Sequence, residues 1–187
     1  MNKFNNLPEL FFHQAYKLLN KPHLKKINQN NNKIEILSWQ NTLDEVNKIY
    51  QFLDLQQLSD FDRIMLVSEN RPEWMISDLA IMSSKLISIP NYTTYTSKDF
   101  EHIIRDSNPN GLIVSSLDLL KKILQASKSV NFEFKFILVF DNFDENLSIK
   151  NLYFWNNLTW NSKKDISKYK SLNRNDPCCI IYTSGTQ

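Results

Sequence analysis

Glycine is nearly missing from this chain: Gly111 and Gly185 are the two among 187 residues, against a usual share of about 7%. A residue this scarce marks places where the backbone needs freedom that a side chain would deny, and Gly185 falls in the last turn of the sequence. Cysteine is as rare. Cys178 and Cys179 are neighbours, which rules out an ordinary disulfide between them and matches no zinc spacing; they read as plain strand hydrophobes. The three histidines, His13, His23 and His102, stand far apart with no pair at ligand spacing, so a histidine-built metal centre is not expected. Nor does one sign of charge dominate. Lys and Arg number 22 against 20 for Asp and Glu, a net charge of +2, which leaves no footprint for nucleic acid. No apolar run is long enough to span a bilayer, and residues 1–6 lack the apolar core of a secretory signal, so a cytoplasmic location is expected. No Ser-His-Asp or Cys-His arrangement can be assembled. The carboxylate pairs Asp44-Glu45 and Asp60-Asp62 fall at a helix start and a turn, where acids are ordinary.

What is present is a folded, patterned chain, with 42% hydrophobic and 22% charged residues, as in globular proteins. Apolar residues from Leu10 to Leu19 recur at helical spacing behind Pro8, predicting an opening amphipathic helix over residues 7–19. Residues 23–27 and 33–37 flank Asn30-Asn31-Asn32 and predict a small hairpin. Thr42 to Glu45 fits a capping box, ahead of Leu43, Val46, Ile49, Tyr50 and Leu53 on one helix face. From Asp62 onward the pattern changes. Ile64-Met65-Leu66-Val67 is a buried strand followed by a helix opening at Pro72, on which Met75, Leu79, Met82 and Leu86 share a face. Residues 87–90 are a short strand, Thr96 to Asp99 a second capping box, residues 111–114 a strand, and Leu117, Leu120, Ile123 and Leu124 a helix. Residues 134–140 give a further β-rich run. Residues 141–176 are polar, with Trp155, Leu158 and Trp160 as anchors, and predict a long connection carrying one short helix. Residues 178–182 return to the sheet. Buried strands alternating with amphipathic helices predict an α/β fold, doubly wound, with a mostly parallel sheet flanked by helices.

The sequence closes on Ile180-Ile181-Tyr182-Thr183-Ser184-Gly185-Thr186-Gln187, an apolar strand running into a hydroxyl-rich turn. Hydroxyls, backbone N–H groups and one glycine at a strand's carboxyl end suit an anion. This is no Walker loop, which needs G-x-x-x-x-G-K-[ST]; from spacing alone an ordinary polar turn and a phosphate site stand about even. The helix start at Ser68 to Trp74 could also attract anions, but Glu69 and Glu73 flank it and would repel a phosphate. Tyr92 and Tyr95 read as a half-buried loop packed on the sheet.

The run Ile180 to Thr186 resembles the phosphate-loop signature of the adenylate-forming (AMP-binding) superfamily of acyl-CoA synthetases and related ligases. Residues 62–74, DRIMLVSENRPEW, resemble that superfamily's early strand-turn-helix, and residues 90–96, PNYTTYT, resemble a segment of its long-chain fatty-acid branch. The three occur in the family's order. The resemblance implies that residues 1–187 are the amino-terminal portion of the adenylating domain of an AMP-forming ligase. Such an enzyme activates a fatty acid with ATP and Mg²⁺ as an acyl-adenylate, then passes it to coenzyme A. It further implies that Thr183, Ser184, Gly185 and Thr186 bind the nucleotide phosphates, with Thr183 also meeting the metal, and it leaves room for peripheral contact with a membrane that supplies the fatty acid. The family's loop continues to a Pro-Lys-Gly, and its adenine, ribose and second metal residues and its catalytic lysine come later still, so the 187 residues alone are expected to be inactive. Two alternatives stay open: a non-catalytic α/β interaction module, and an aryl or amino acid adenylating enzyme, because all branches share the loop.

Overall fold

In the computed structural model, which describes residues 4–27, 33–145, 147–161, 164 and 166–183, the apolar runs become a five-stranded, wholly parallel sheet. Chain order begins with α1 (Leu7–Leu18), the antiparallel pair β1 (Pro22–Ile27) and β2 (Ile34–Ser38), and α2 (Trp39–Asp54). The sheet follows: β3 (Arg63–Val67), α3 (Pro72–Ser83), β4 (Ile87–Asn91), α4 (Ser97–Ser107), β5 (Gly111–Val114), α5 (Leu117–Ser129), β6 (Phe136–Val139) and β7 (Leu152–Phe154). Its spatial order is β4-β3-β5-β6-β7. The chain therefore steps outward from β3 to β4, then crosses back over β3 to build the other side, as doubly wound sheets do.

Strand periodicity sorts the core into two layers. Ile64, Leu66, Ile113, Phe136 and Leu138 face α1, α2 and α3. Met65, Val67, Leu112, Val114, Ile137 and Val139 face α4 and α5. Because both faces are covered, the strands read as unbroken apolar runs. Gly111 opens β5 directly against Phe136 of β6: a Cβ there would lie 2.2 Å from Phe136 Cε1 and 2.3 Å from its Cζ. Glycine is needed at this position for close approach of an aromatic ring.

Helix starts follow their caps. Thr96 and Asp99 form the predicted capping box of α4, with the Thr96 N–H donating to Asp99 Oδ2 at 2.7 Å. For α2 the cap lies one turn earlier than the sequence suggested. Ser38, at the end of β2, caps the helix with Asn41, whose N–H donates to Ser38 Oγ at 3.1 Å while its Oδ1 accepts from the Ser38 N–H at 3.0 Å. Thr42 instead sits inside the helix and donates to the Ser38 carbonyl.

Residues 141–176 hold more structure than expected. Leu152, Tyr153 and Phe154 pair with Ile137, Leu138 and Val139 as the outer strand β7, and two 3₁₀ turns follow at Trp155–Asn157 and Lys168–Ser171. Trp155 is buried and its indole N–H donates to Glu45 Oε2 at 2.9 Å, which locks this stretch to α2.

Candidate functional site at the carboxyl edge of the sheet

The final segment lies along the free edge of β4 and runs parallel to it, bridged at Ser88 and Cys179. The Ser88 N–H donates to the Cys178 carbonyl at 3.0 Å, and the Ile180 N–H donates to the Ser88 carbonyl at 2.9 Å. The predicted strand over residues 178–182 shrinks to this single bridge. The cause is Pro90. In a strand the N–H groups alternate between the two edges, so the next donor facing this segment after Ser88 would be residue 90, and proline has none. Cys178 and Cys179 are both exposed, contrary to their reading as strand hydrophobes, because the segment is the outermost layer of the sheet edge.

Side-chain contacts take over where the ladder stops. Ile180 and Tyr182 pack on the α4/α5 layer while Ile181 points outward, 65% exposed. The Tyr182 phenol donates to Asp106 Oδ2 of α4 at 2.5 Å, and its ring meets the edge of His102 at 6.0 Å. Burial pushes the Tyr182 phenol up, and the Asp106 carboxylate adds to it, to about 12; the group stays a hydrogen-bond donor across the working pH range. The Tyr182 carbonyl in turn accepts from the Tyr95 hydroxyl at 3.2 Å. Tyr95 is held by the ring of Phe100 and by Lys122, whose ammonium donates to the Thr93 and Tyr95 carbonyls at 3.3 and 3.2 Å. A clasp of α4, α5 and the loop between β4 and α4 thus fixes the residue just before Thr183. Removing the phenol in Tyr182→Phe is expected to cost about 1 kcal/mol in urea denaturation. It should also raise amide exchange at Ile180 and Thr183 more than in α5; unchanged exchange there would show that the clasp positions nothing.

Thr183 is exposed, beyond the level of Asn91 at the carboxyl end of β4. Nearby, Asn91 Oδ1 is buried with no hydrogen-bond partner among the described residues, while its amide donates to the Ile89 carbonyl. Ser184, Gly185 and Thr186 lie outside the described residues. Tyr95 and Asp106 were not singled out as site residues from sequence, because their partner Tyr182 lies 87 and 76 positions away in the chain. Tyr95 does pack half-buried as expected, whereas Tyr92 is 67% exposed.

Two other features lie beyond the clasp. At the start of α3, Glu73 accepts from Lys26 at 2.9 Å and from both Arg71 Nε and Arg71 Nη2 at 2.9 and 3.0 Å, while Arg71 Nη1 reaches Asp141 at 2.9 Å. Charge is already matched there. At the opposite, amino end of the strands, an apolar groove of about 700 Å³ is bounded by Leu7, Leu10, Met82, Leu86, Leu172 and Cys178.

Comparison with known proteins agrees with this arrangement. Residues 11–187 match the AMP-binding enzyme family. Fatty acyl-CoA synthetase A of Dictyostelium discoideum is 24% identical over 154 residues, covering 80% of this chain and 23% of that protein. Long-chain-fatty-acid–CoA ligase 5 of Rattus norvegicus is 25% identical over 133 residues, covering 66% of this chain and 19% of its own length. Among solved structures, the anthranilate CoA ligase AuaEII superposes with a TM-score of 0.78 at 18% identity, over 98% of this chain and 33% of that one. The coronafacic acid ligase of Pectobacterium brasiliense gives 0.73 at 18% identity, over 96% and 33%. The chain thus spans about a fifth of the length of its curated relatives and a third of these solved neighbours. The match along nearly the whole sequence, on a doubly wound sheet with Thr183 at its carboxyl edge, places the chain in the AMP-binding enzyme family.

Proposed function

We propose that residues 1–187 form the amino-terminal part of an ATP-dependent, AMP-forming acyl-CoA ligase acting on a long-chain fatty acid. The observation that carries the reading is the clasp on Tyr182, which presents Thr183 at the carboxyl edge of a parallel sheet. Ligands of such sheets gather at that edge. Segment 90–96, leading from β4 into α4, and the names of the relatives favour a long acyl chain.

The chemistry fits the residue types. In the first half-reaction the fatty carboxylate attacks the α-phosphorus of ATP, the bond to the bridging oxygen breaks, and pyrophosphate leaves with the electron pair. The thiol of coenzyme A then attacks the acyl carbon and AMP leaves. Charge builds on the phosphate oxygens in the first step, and donors already in place stabilise it at little reorganisation cost. Gly185 would let the backbone come close to those oxygens, and Ser184 and Thr186 would donate to them. A threonine hydroxyl oxygen at Thr183 suits the hard, oxygen-seeking Mg²⁺, which when bound supplies positive charge to the pyrophosphate. Among the described residues no helix is long and apolar enough to cross a membrane; collection of fatty acid from a membrane surface would be peripheral.

The reading is tested on the protein encoded by the whole reading frame containing these residues, supplied with ATP, Mg²⁺ and palmitate. Mass spectrometry should find palmitoyl-adenylate, then AMP and palmitoyl-CoA once coenzyme A is added. Residues 1–187 alone should form neither. Release of ADP in place of AMP, or no acyl-adenylate with any fatty, aryl or amino acid, would overturn it.

A further inference from the structure

We propose that Cys178 and Cys179 form a reversible vicinal dithiol–disulfide pair, oxidised by hydroperoxides, whose closure unfastens the last segment from the sheet. Both cysteines are exposed. Cys178 also lines the apolar groove of about 700 Å³, beside Met82, Leu86 and Leu172. Cys179 has the more sheltered thiol: burial pushes it up, and Cys178 and the Asp78 carboxylate push it further. A thiol held protonated in this way is a poor first nucleophile, which leaves the first attack to Cys178.

The steps balance. The Cys178 thiolate gives an electron pair to the outer peroxide oxygen, the O–O bond breaks, and an alcohol, or water from hydrogen peroxide, departs. The sulfenic acid left on Cys178 is attacked by the Cys179 sulfur, and its oxygen leaves as water. In total two thiols and one hydroperoxide become one disulfide, one alcohol and one water.

Backbone geometry links this bond to the site. Consecutive Cα atoms stand about 3.8 Å apart, whereas disulfides ordinarily join Cα atoms at least about 4.4 Å apart. Closure therefore twists residues 178–179 out of the extended form, and these residues carry the bridge to Ser88. The Cys178 carbonyl and the Ile180 N–H would turn away from their β4 partners at 3.0 and 2.9 Å. With Pro90 offering no further donor, no backbone hydrogen bond replaces them. A bond strained in this way is easily reduced, which makes the change reversible. The bond itself does not depend on the nucleotide reading, and its failure would leave that reading intact.

The test treats the reduced 187-residue chain with hydrogen peroxide and follows the tryptic peptide that begins after Arg174. That peptide should lose two hydrogens, regain them with dithiothreitol, and show no loss in Cys178→Ser or Cys179→Ser. Phenylarsine oxide, which needs both thiols, should bind before oxidation and not after. Amide exchange at Ser88 and Ile180 should rise on oxidation and fall back on reduction. Added oxygen in place of lost hydrogen, disulfide-linked dimers, or a closed bond with unchanged exchange at Ser88 and Ile180 would each overturn the proposal.

Discussion

Gly111→Ala should destabilise the fold by about 3 kcal/mol, the upper range for overpacking a core. The added methyl would meet three atoms of the Phe136 ring, at 2.2, 2.3 and 2.8 Å, so the ring or the strand must shift. Phe136 is fully buried, with Phe52 edge-on at 5.3 Å. Strain must then pass into the pairing of β5 with β6, whose register begins at Gly111 and Phe136. Phe136→Leu opens space at a cost of its own, but the double variant should be more stable than the two single losses predict, by about 1 kcal/mol or more. Urea midpoints of the four proteins measure this coupling. Strict additivity would mean that Gly111 is not held by the ring.

Acid should remove a second, comparable contribution, at Glu73. Burial pushes this carboxyl up, but hydrogen bonds from Arg71 and Lys26 outweigh burial and hold it at about 2, against an ordinary value of 4.5. Its side chain is 16% exposed and that of Arg71 18%, so water screens the pair only in part. A tenfold change in a carboxyl's acidity between the folded and unfolded chain corresponds to about 1.36 kcal/mol. The ion cluster therefore contributes about 2 to 3 kcal/mol once screening on the more exposed Lys26 side is allowed for. Because the folded value is the lower one, this stability is fully present above pH 4.5 and is lost as pH falls toward 2. Glu73→Gln should therefore be less stable than the parent at pH 7, and the gap should close between pH 4.5 and 2. A gap that stays constant with pH would mean that the glutamate acts through packing and not through charge.

The layers of the fold were legible because they rest on local pattern. Ile64 to Val67 bury both faces, Pro72 starts α3, and Thr96 with Asp99 caps α4; each effect acts within a few residues. Long-range competition was harder to read. Thr42 to Glu45 looks like a capping box, yet Ser38 is already at the end of β2 and caps α2 first. The strand β7 is three residues long inside a polar stretch and exists because β6 offers it an edge. The strand expected at residues 178–182 is cut to one bridge, because its limit is set by a missing N–H on Pro90, in a different strand. The motif at Thr183 was visible, but the groups that hold it were not. Asp106, Tyr95 and Lys122 meet the segment or its loop only in the folded chain, and no spacing rule announces such contacts.

The proposal that Thr183 to Thr186 begin the phosphate-binding loop of an acyl-adenylating enzyme is best tested by carboxylate-dependent exchange of labelled pyrophosphate into ATP. The protein of the whole reading frame should catalyse exchange that requires a fatty acid, and Ser184→Ala and Gly185→Val should each lower it by about a hundredfold or more. Exchange that is absent with every carboxylate, or that survives both substitutions unchanged, would contradict it.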